Sequence, residues 1–277
     1  MVFVVAIAAL LLVIGSALLL GRLVFALRIA GEVDELFAAA KVEQHPVVDQ
    51  DMRGLPEPVR RWLRASNVIG TAFPVTVRLR QHGEFRMGKG KGWMPFHAEE
   101  YYSTDPPGYV WKATFRMAPF VSVTGRDRYA DGHGSIEMRV LSLAPVARHA
   151  GSGLDQGALL RFLNETMWFP AAVLAPYISW EARDESSAVA TMRYAGVSAS
   201  ATFVFDDAGR LTNMIANRFD NAKKSIVPWS TPIARHGEFA GIVAPVEGAG
   251  VWHYETGDFT YIRLRITDIE YNRPERY

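Results

Sequence analysis

LDQGALLRFLNETMWFPAAVLAP, residues 154–176, is the one helical island in a chain that otherwise reads, beyond residue 75, as strand after strand. Leu159, Leu160, Leu163 and Met167 recur at helical spacing, so one face of the island is buried, and Asp155 is expected to cap the amides of its first turn. Arg161 and Glu165 stand four apart on the other flank and are expected to pair there, an interaction worth roughly 0.2–0.5 kcal/mol. Pro170 cannot extend the helix and restrains Phe169 towards an extended backbone; it suits the start of a second short helix, 171–174, which Pro176 ends. Trp168 and Phe169 at the corner are the large apolar side chains that would lock this unit to a sheet.

On either side of the island the period is two. Val75, Val77 and Leu79 alternate with Thr76, Arg78 and Arg80, and strands are expected at 96–103, 109–115, 120–129, 135–141 and 144–149. After the island they follow at 180–184, 188–194, 199–206, 211–218, 236–244, 250–254 and 260–271. Asp-Pro-Pro-Gly at 105–108, Asp-Gly-His-Gly at 131–134 and Asp-Asp-Ala-Gly at 206–209 supply turn chemistry between them. About twelve strands in succession with no βαβ alternation predict a mainly β fold. The expected architecture is a large curved antiparallel sheet, or half-open barrel, wrapping the short helical pair, and any volume the pair leaves unfilled is a ligand cavity.

Upstream, residues 2–21, VFVVAIAALLLVIGSALLLG, carry no charge. Twenty residues at about 1.5 Å each span roughly 30 Å, a hydrocarbon core. With no basic residue before this run and more apolar residues after Arg22, it reads as a single-pass transmembrane anchor rather than a cleaved signal peptide. The organisation expected is an anchor at 1–28, a connector at 29–53 and one β domain at 54–277 with its helical insertion at 155–175. Arg22 and Arg28 after the span place that domain on the cytoplasmic side by the positive-inside rule, on a bias of only two residues. Residues 55–65, LPEPVRRWLRA, form a short amphipathic helix whose arginines are expected to be solvated.

Composition removes several chemistries. The chain of 277 residues has a formal charge of +1 with its basic residues scattered, which gives no reason to expect a nucleic-acid partner. It has no cysteine, so thiol catalysis and cysteine-ligated metals are excluded. The seven histidines are dispersed with no i,i+4 pair, and GxSxG, HExxH and phosphate-loop motifs are missing; no metal site and no cofactor is expected. The acids are more informative. Glu99 and Glu100 precede Tyr101 and Tyr102, so alternation puts one carboxylate on each face. A buried carboxylate needs an arginine or several donors. An inward Glu99 or Asp127, an arginine such as Arg126, and Arg161 with Glu165 from the helix would make a polar patch in an apolar cavity. With Trp111, Trp168, Trp229 and Trp252 these are the candidate ligand-binding residues; no catalytic residue is assigned.

The pieces LPEPVRRWL (55–63), FHAEEYYSTDPPGYVWKA (96–113), GRDRYADGHGSI (125–136), GSGLDQGALLRFLNETMWFP (151–170), FVFDDAGRL (203–211), PWSTP (228–232) and FAGIVAPVEGAGVWH (239–253) resemble an uncharacterised bacterial family described only as a domain of unknown function. The resemblance runs from about residue 50 to the C-terminus and implies that Asp127, Gly132, Arg161, Glu165, Trp168, Pro170, Trp229 and Trp252 are the positions that matter. At the level of architecture the chain is also similar to the bacterial lipoprotein-carrier proteins, whose half-barrel shelters acyl chains. That likeness implies an extracytoplasmic domain, against the charge bias. Three functions are compatible with these readings. The first is a membrane-tethered binding or carrier protein for a lipid-like or other apolar small molecule, held to the bilayer by residues 2–21. The second is a carboxylate-based hydrolase or isomerase using Glu165; the third is an envelope scaffold or partner-binding module, which requires an exposed apolar patch.

Overall fold

The structure, a computed structural model, describes residues 2–41 and 45–277; residue 1, in the expected anchor, and residues 42–44, in the expected connector, lie outside the described residues. Helix α1 (Val2–Ala39) and helix α2 (Glu57–Ala65) precede six strands: β1 (Thr76–Phe85), β2 (Met94–Thr104), β3 (Pro107–Ala118), β4 (Val121–Ala130), β5 (His133–Val140) and β6 (Ala144–Ala150). Helix α3 (Ser152–Glu165) follows, with single 3-10 turns at Thr166–Trp168 and Pro170–Leu174. Eight more strands complete the chain: β7 (Ile178–Ala182), β8 (Ser187–Tyr194), β9 (Val197–Phe205), β10 (Leu211–Asp220), β11 (Ser225–Ser230), β12 (Ile233–Phe239), β13 (Ile242–Tyr254) and β14 (Gly257–Tyr271).

The strands make one antiparallel sheet in the order β6-β5-β4-β3-β2-β1-β14-β13-β11-β10-β9-β8-β7, with β12 paired to β13. The expected fold class is thus what the chain adopts, a mainly β, half-open curled sheet around a short helical element. Its two end strands are β6 and β7, and the island is the connection between them. Curling brings the sheet's halves together: the β8–β9 turn at Ala195 lies against Gly132 in the β4–β5 turn. Leu159, Leu160, Phe162, Leu163 and Phe169 of the island share one apolar core with Val77, Leu79, Tyr102, Tyr109 and Tyr129 on the inner face. Burying both sides of that contact is the main force that keeps the sheet curled.

Two expectations about strands and one about the helix are corrected. The run 236–244 is not one strand, because Ala240 and Gly241 have φ of 49° and 83° and turn the chain between β12 and β13. Residues 225–230 are a further strand, with Pro228 opposite Asn217. Asp155 does not cap α3, which starts three residues earlier; its carboxylate instead accepts from the Gly134 amide at 2.8 Å and ties the helix to the β4–β5 hairpin.

The expected boundary at residue 28 falls inside a single helix of 38 residues. Its first half is long and apolar enough to cross a membrane, and none of its most apolar window is buried in the protein. The second half continues because Phe25, Ile29, Val33 and Leu36 return to one face every three or four residues and pack on the outer face of the sheet against Tyr101 and Val110. Arg28 reaches Glu137 at 2.7 Å, Glu32 reaches Arg126 at 2.5 Å and Asp34 reaches Arg276 at 2.9 Å. Burial alone would raise the Glu137 carboxyl, but hydrogen bonds from Arg139, Arg148 and Arg28 bring it down to about 2. Helix α2 buries Val59, Trp62 and Leu63, sets the Trp62 ring at a tilt against Phe203 and Phe205, and turns Arg60 and Arg64 to exposed acids.

Candidate functional site

A cavity of about 730 Å³ lies between the island and the inner face of the sheet. Much of its wall is apolar, including Phe85, Phe115, Val123, Met138, Ile262 and Leu264. The polar part is built around Arg161, which helix α3 aims at β2 and β4. Its Nη2 donates to Glu100 at 2.7 Å, Nη1 to Asp127 at 2.8 Å and Nε to Glu165 at 2.6 Å. The guanidinium also stands 4.9 Å from the Tyr109 ring and 5.0 Å from the Trp111 ring. Tyr102 donates to the second Glu165 oxygen at 3.1 Å, and Gln81 to the second Glu100 oxygen at 2.9 Å. The Arg161–Glu165 pair is therefore not the exposed flank contact of the helix pattern; both groups are enclosed, in a cluster of three carboxylates around one cation.

Such a cluster cannot keep every carboxylate ionised at low cost. Burial pushes the Glu100 carboxyl well above the usual range, Arg161 opposes, and Glu165 adds to the rise. Burial also raises Glu165 and Asp127, again against Arg161. Arg161 is held charged more firmly than usual: burial disfavours its charge, but the surrounding carboxylates outweigh that. Glu100 and Glu165 thus titrate as a unit that retains a proton above the range of an ordinary carboxylate. The folded state then binds more protons than the unfolded chain above the ordinary value of 4.5, so this pair makes stability fall as pH rises from there to the raised value. Glu137 acts in the opposite sense, its contribution being lost as pH falls from 4.5 to about 2. Thermal unfolding of Glu100→Gln, which mimics the protonated acid, is expected to depend less on pH above the ordinary carboxylate range than that of the parent chain. Equal slopes would mean that the pair holds no extra proton.

Of the residues singled out in the sequence, Trp111, Asp127, Arg161, Glu165, Trp168, Trp229 and Trp252 all line this cavity. Glu99 and Arg126 do not. Register pairs Leu79 with Glu100 and Glu100 with Trp111, so Glu100 is the inward acid. Glu99 lies outside, accepting from Tyr101 at 3.1 Å and lying 3.6 Å from Lys112 Nζ. Arg126 is outward too, bound to Glu32 of α1 and to Ser135. Sequence reasoning missed Arg218, whose guanidinium stands 4.7 Å from the Trp229 ring and 5.9 Å from that of Trp252. The signal was present: Met214 and Ala216 are buried on one face of β10, and the same parity carries Arg218.

Among the described residues no carboxylate lies within 4 Å of Arg218, and the buried indole N–H groups of Trp111 and Trp229 have no hydrogen-bond partner. Arg218, half-buried in the cavity wall beside these rings, offers a charged donor to an acceptor-bearing group, whereas the two indole N–H groups are covered by the wall itself. Elsewhere, Ser230 Oγ is 2.8 Å from His253 Nε2, and His253 Nδ1 is 2.7 Å from Asp258. This has the connectivity of a hydrolytic triad, but Ser230 is 4% exposed and does not line the cavity, so the three groups tie β11, β13 and the start of β14 together. Among the described residues no group of three His, Asp or Glu is arranged to hold a metal ion.

A model of a family of unknown function, DUF6544, matches residues 45–264, which include every piece of sequence quoted for the family resemblance. No curated protein matches the chain. Three solved structures are similar at low identity. A domain of a candidate outer membrane lipoprotein-sorting protein from Vibrio parahaemolyticus is 8% identical, with 73% of this chain and 87% of that one covered and a TM-score of 0.41. A DUF1329 family protein from Desulfovibrio piger is 11% identical over 78% of this chain and 92% of that one, TM-score 0.43. A LolA superfamily protein from Nitrosomonas europaea is 9% identical over 82% and 94%, TM-score 0.36.

Proposed function

This chain belongs to DUF6544, a family of unknown function, and from that premise we propose that it is a membrane-tethered binding or carrier protein for an amphipathic, lipid-like molecule. The observation that carries the reading is the cavity itself. Its 730 Å³ fall within the roughly 300–1,000 Å³ of small-molecule sites, and its apolar walls include one half-buried cation, Arg218, set against the Trp229 ring. A chain of methylenes suits the walls, and an acceptor head group suits the Arg218 guanidinium. Residues 2–21 hold the domain at the bilayer from which such a molecule would come.

Gly157 of α3 offers a clean test. A Cβ there would meet Phe219 O at 3.8 Å and Arg218 Nε at 3.9 Å, ordinary contacts, so a larger side chain fits but intrudes on the cavity. Gly157→Leu is expected to weaken displacement-measured binding of a fluorescent fatty acid by about tenfold or more while leaving the melting temperature unchanged or higher, since replacing a mid-helix glycine adds about 0.5–1 kcal/mol. Solvent extraction of the full-length parent should release a lipid-like molecule detectable by mass spectrometry. A parent chain that yields none, and binds no probe, would sink the reading.

A carboxylate-based hydrolase or isomerase is favoured by one observation: Glu165 lines the cavity, has a raised carboxyl and accepts from Tyr102. Under this second reading Glu165→Gln retains the bound molecule but stops its conversion. Recovery of the bound molecule chemically unchanged from the parent chain after prolonged incubation counts against it.

A further inference from the structure

The path of α1 along the outer face fixes where the domain stands relative to the segment that can cross a membrane. Leu143, in the β5–β6 turn, packs its side chain directly over Gly21. One turn on, Arg139 lies 4.5 Å from the Phe25 ring, then Arg28 meets Glu137, and Leu36 lies against Gly108 at the start of β3. Helix and strand therefore run side by side, and the apolar segment ends level with the β5–β6 turn. From Leu36 back to Gly21 the helix covers roughly 22 Å, whereas β3 from Gly108 to Ala118 covers up to roughly 33 Å. The β3–β4 tip thus reaches as much as roughly 10 Å beyond the point where the apolar segment begins.

What stands at that end is unusual for a soluble surface. Phe120 at the β3–β4 tip is 99% exposed and has φ of 65°, a conformation costly for a bulky residue. Met87, Met117, Val146 and Ile226 are exposed with it. The turns at the same end, 86–93, 116–121, 141–146, 221–226 and 254–257, hold Arg86, Lys89, Lys91, Arg116, Lys223 and Lys224 against Glu255, with Asp220 and Asp258 directly beside them, so the end carries an excess of positive charge. They form one surface: Lys89 Nζ donates to the Thr256 and Gly257 carbonyls at 2.8 Å, and Lys223 Nζ is 3.8 Å from the Tyr254 ring. Met87, Met117 and Val146 also line the cavity, so its rim is this apolar, basic surface.

We propose that these strand tips sit in the interface of the same bilayer that α1 crosses, with Phe120 and the methionines among the lipid chains, so that the cavity opens onto the leaflet and takes its ligand from it. The inference rests on reading α1 as an anchor and the cavity as a ligand site. Apolar side chains ringed by basic ones, at the level where the span ends, match the depth and charge of an anionic headgroup layer. A protein partner would also accept an apolar patch, but would not require it level with the end of the span.

The chain has no cysteine, so single cysteines can carry a nitroxide at chosen sites of the full-length protein. Leu12→Cys, Phe120→Cys and Asp207→Cys, reconstituted in phosphatidylethanolamine–phosphatidylglycerol vesicles, report the span, the tip and a turn at the opposite end of β10. Accessibility to oxygen over a water-soluble nickel reagent should place positions 12 and 120 in lipid and position 207 in water. Position 120 as water-accessible as 207, with 12 in lipid, overturns the proposal and turns attention to a protein partner. Position 12 in water overturns the anchor reading and this proposal with it. In a second measurement, the exposed double variant Met117→Asp with Phe120→Asp is expected to slow uptake of a fluorescent phospholipid from the same vesicles by about tenfold or more, with its melting unchanged. Unaltered uptake would likewise overturn the opening onto the leaflet.

Discussion

Arg161→Met is expected to destabilise the domain by about 3–5 kcal/mol at pH 7.5, a large part of the roughly 5–15 kcal/mol of a typical domain. The variant keeps most of the side-chain volume and removes what is, among the described residues, the only cation bonded to Glu100, Asp127 and Glu165. Glu100 is 0% and Glu165 7% exposed, so neither can turn to water without opening the core. Uncompensated, these acids must take up protons, which costs more at higher pH. The loss is therefore expected to shrink as pH falls towards 5, and a triple replacement of the acids by Gln, Asn and Gln should recover much of it. Denaturant unfolding of the full chain in detergent, followed by near-ultraviolet circular dichroism, measures both. A loss below about 1 kcal/mol at neutral pH would mean that the cavity hydrates the acids.

Phe169→Ala is expected to cost about 3–5 kcal/mol for a different reason. Phe169 is fully buried, 4.8 Å from the Tyr102 ring and 5.9 Å from that of Phe162, at the joint where Pro170 ends one helical turn and begins the next. Beside it the Trp168 carbonyl accepts from Tyr271 of β14 at 2.8 Å. The aromatic side chain thus pins the island to strands near the middle of the sheet's order. Removing it leaves a void between island and sheet that a closely packed core does not close. Unlike the Arg161 variant, this one should show little pH dependence, and Phe169→Leu should recover more than half of the loss. A small effect of the alanine variant would mean that the sheet holds its curl without the plug.

The two variants also separate what was legible in the sequence from what was not. Phe169 could be named at once, because a large apolar residue before a proline at the end of a helical pattern has one sensible place. The meaning of Arg161 and Glu165 could not. On a helix wheel they form a flank pair of small worth; only the sheet arriving from both sides, with Glu100 on β2 and Asp127 on β4, makes that flank an interior. Glu99 and Arg126 face outward for a related reason. Alternation states that neighbouring residues face opposite ways but not which way, and the choice is made by the pairing of Leu79 with Glu100 and by Glu32 of α1 waiting outside for Arg126. A boundary at residue 28 follows the last of the apolar residues 23–27, whereas Phe25, Ile29, Val33 and Leu36 carry a helical repeat that continues past it.

Local sequence alone determined the long apolar N-terminal segment, the two-residue period of the strands and the proline-broken helical pair, because each is written in the pattern of residues within one segment. Tertiary structure alone decided that the pair bridges the two end strands, that Glu100 rather than Glu99 meets Arg161, and that Arg218 joins the tryptophans. Those outcomes depend on hydrogen-bond register between segments distant in sequence, such as those of Arg78 and Glu270, 192 residues apart, and on which face the curl encloses. No repeat within one segment encodes either.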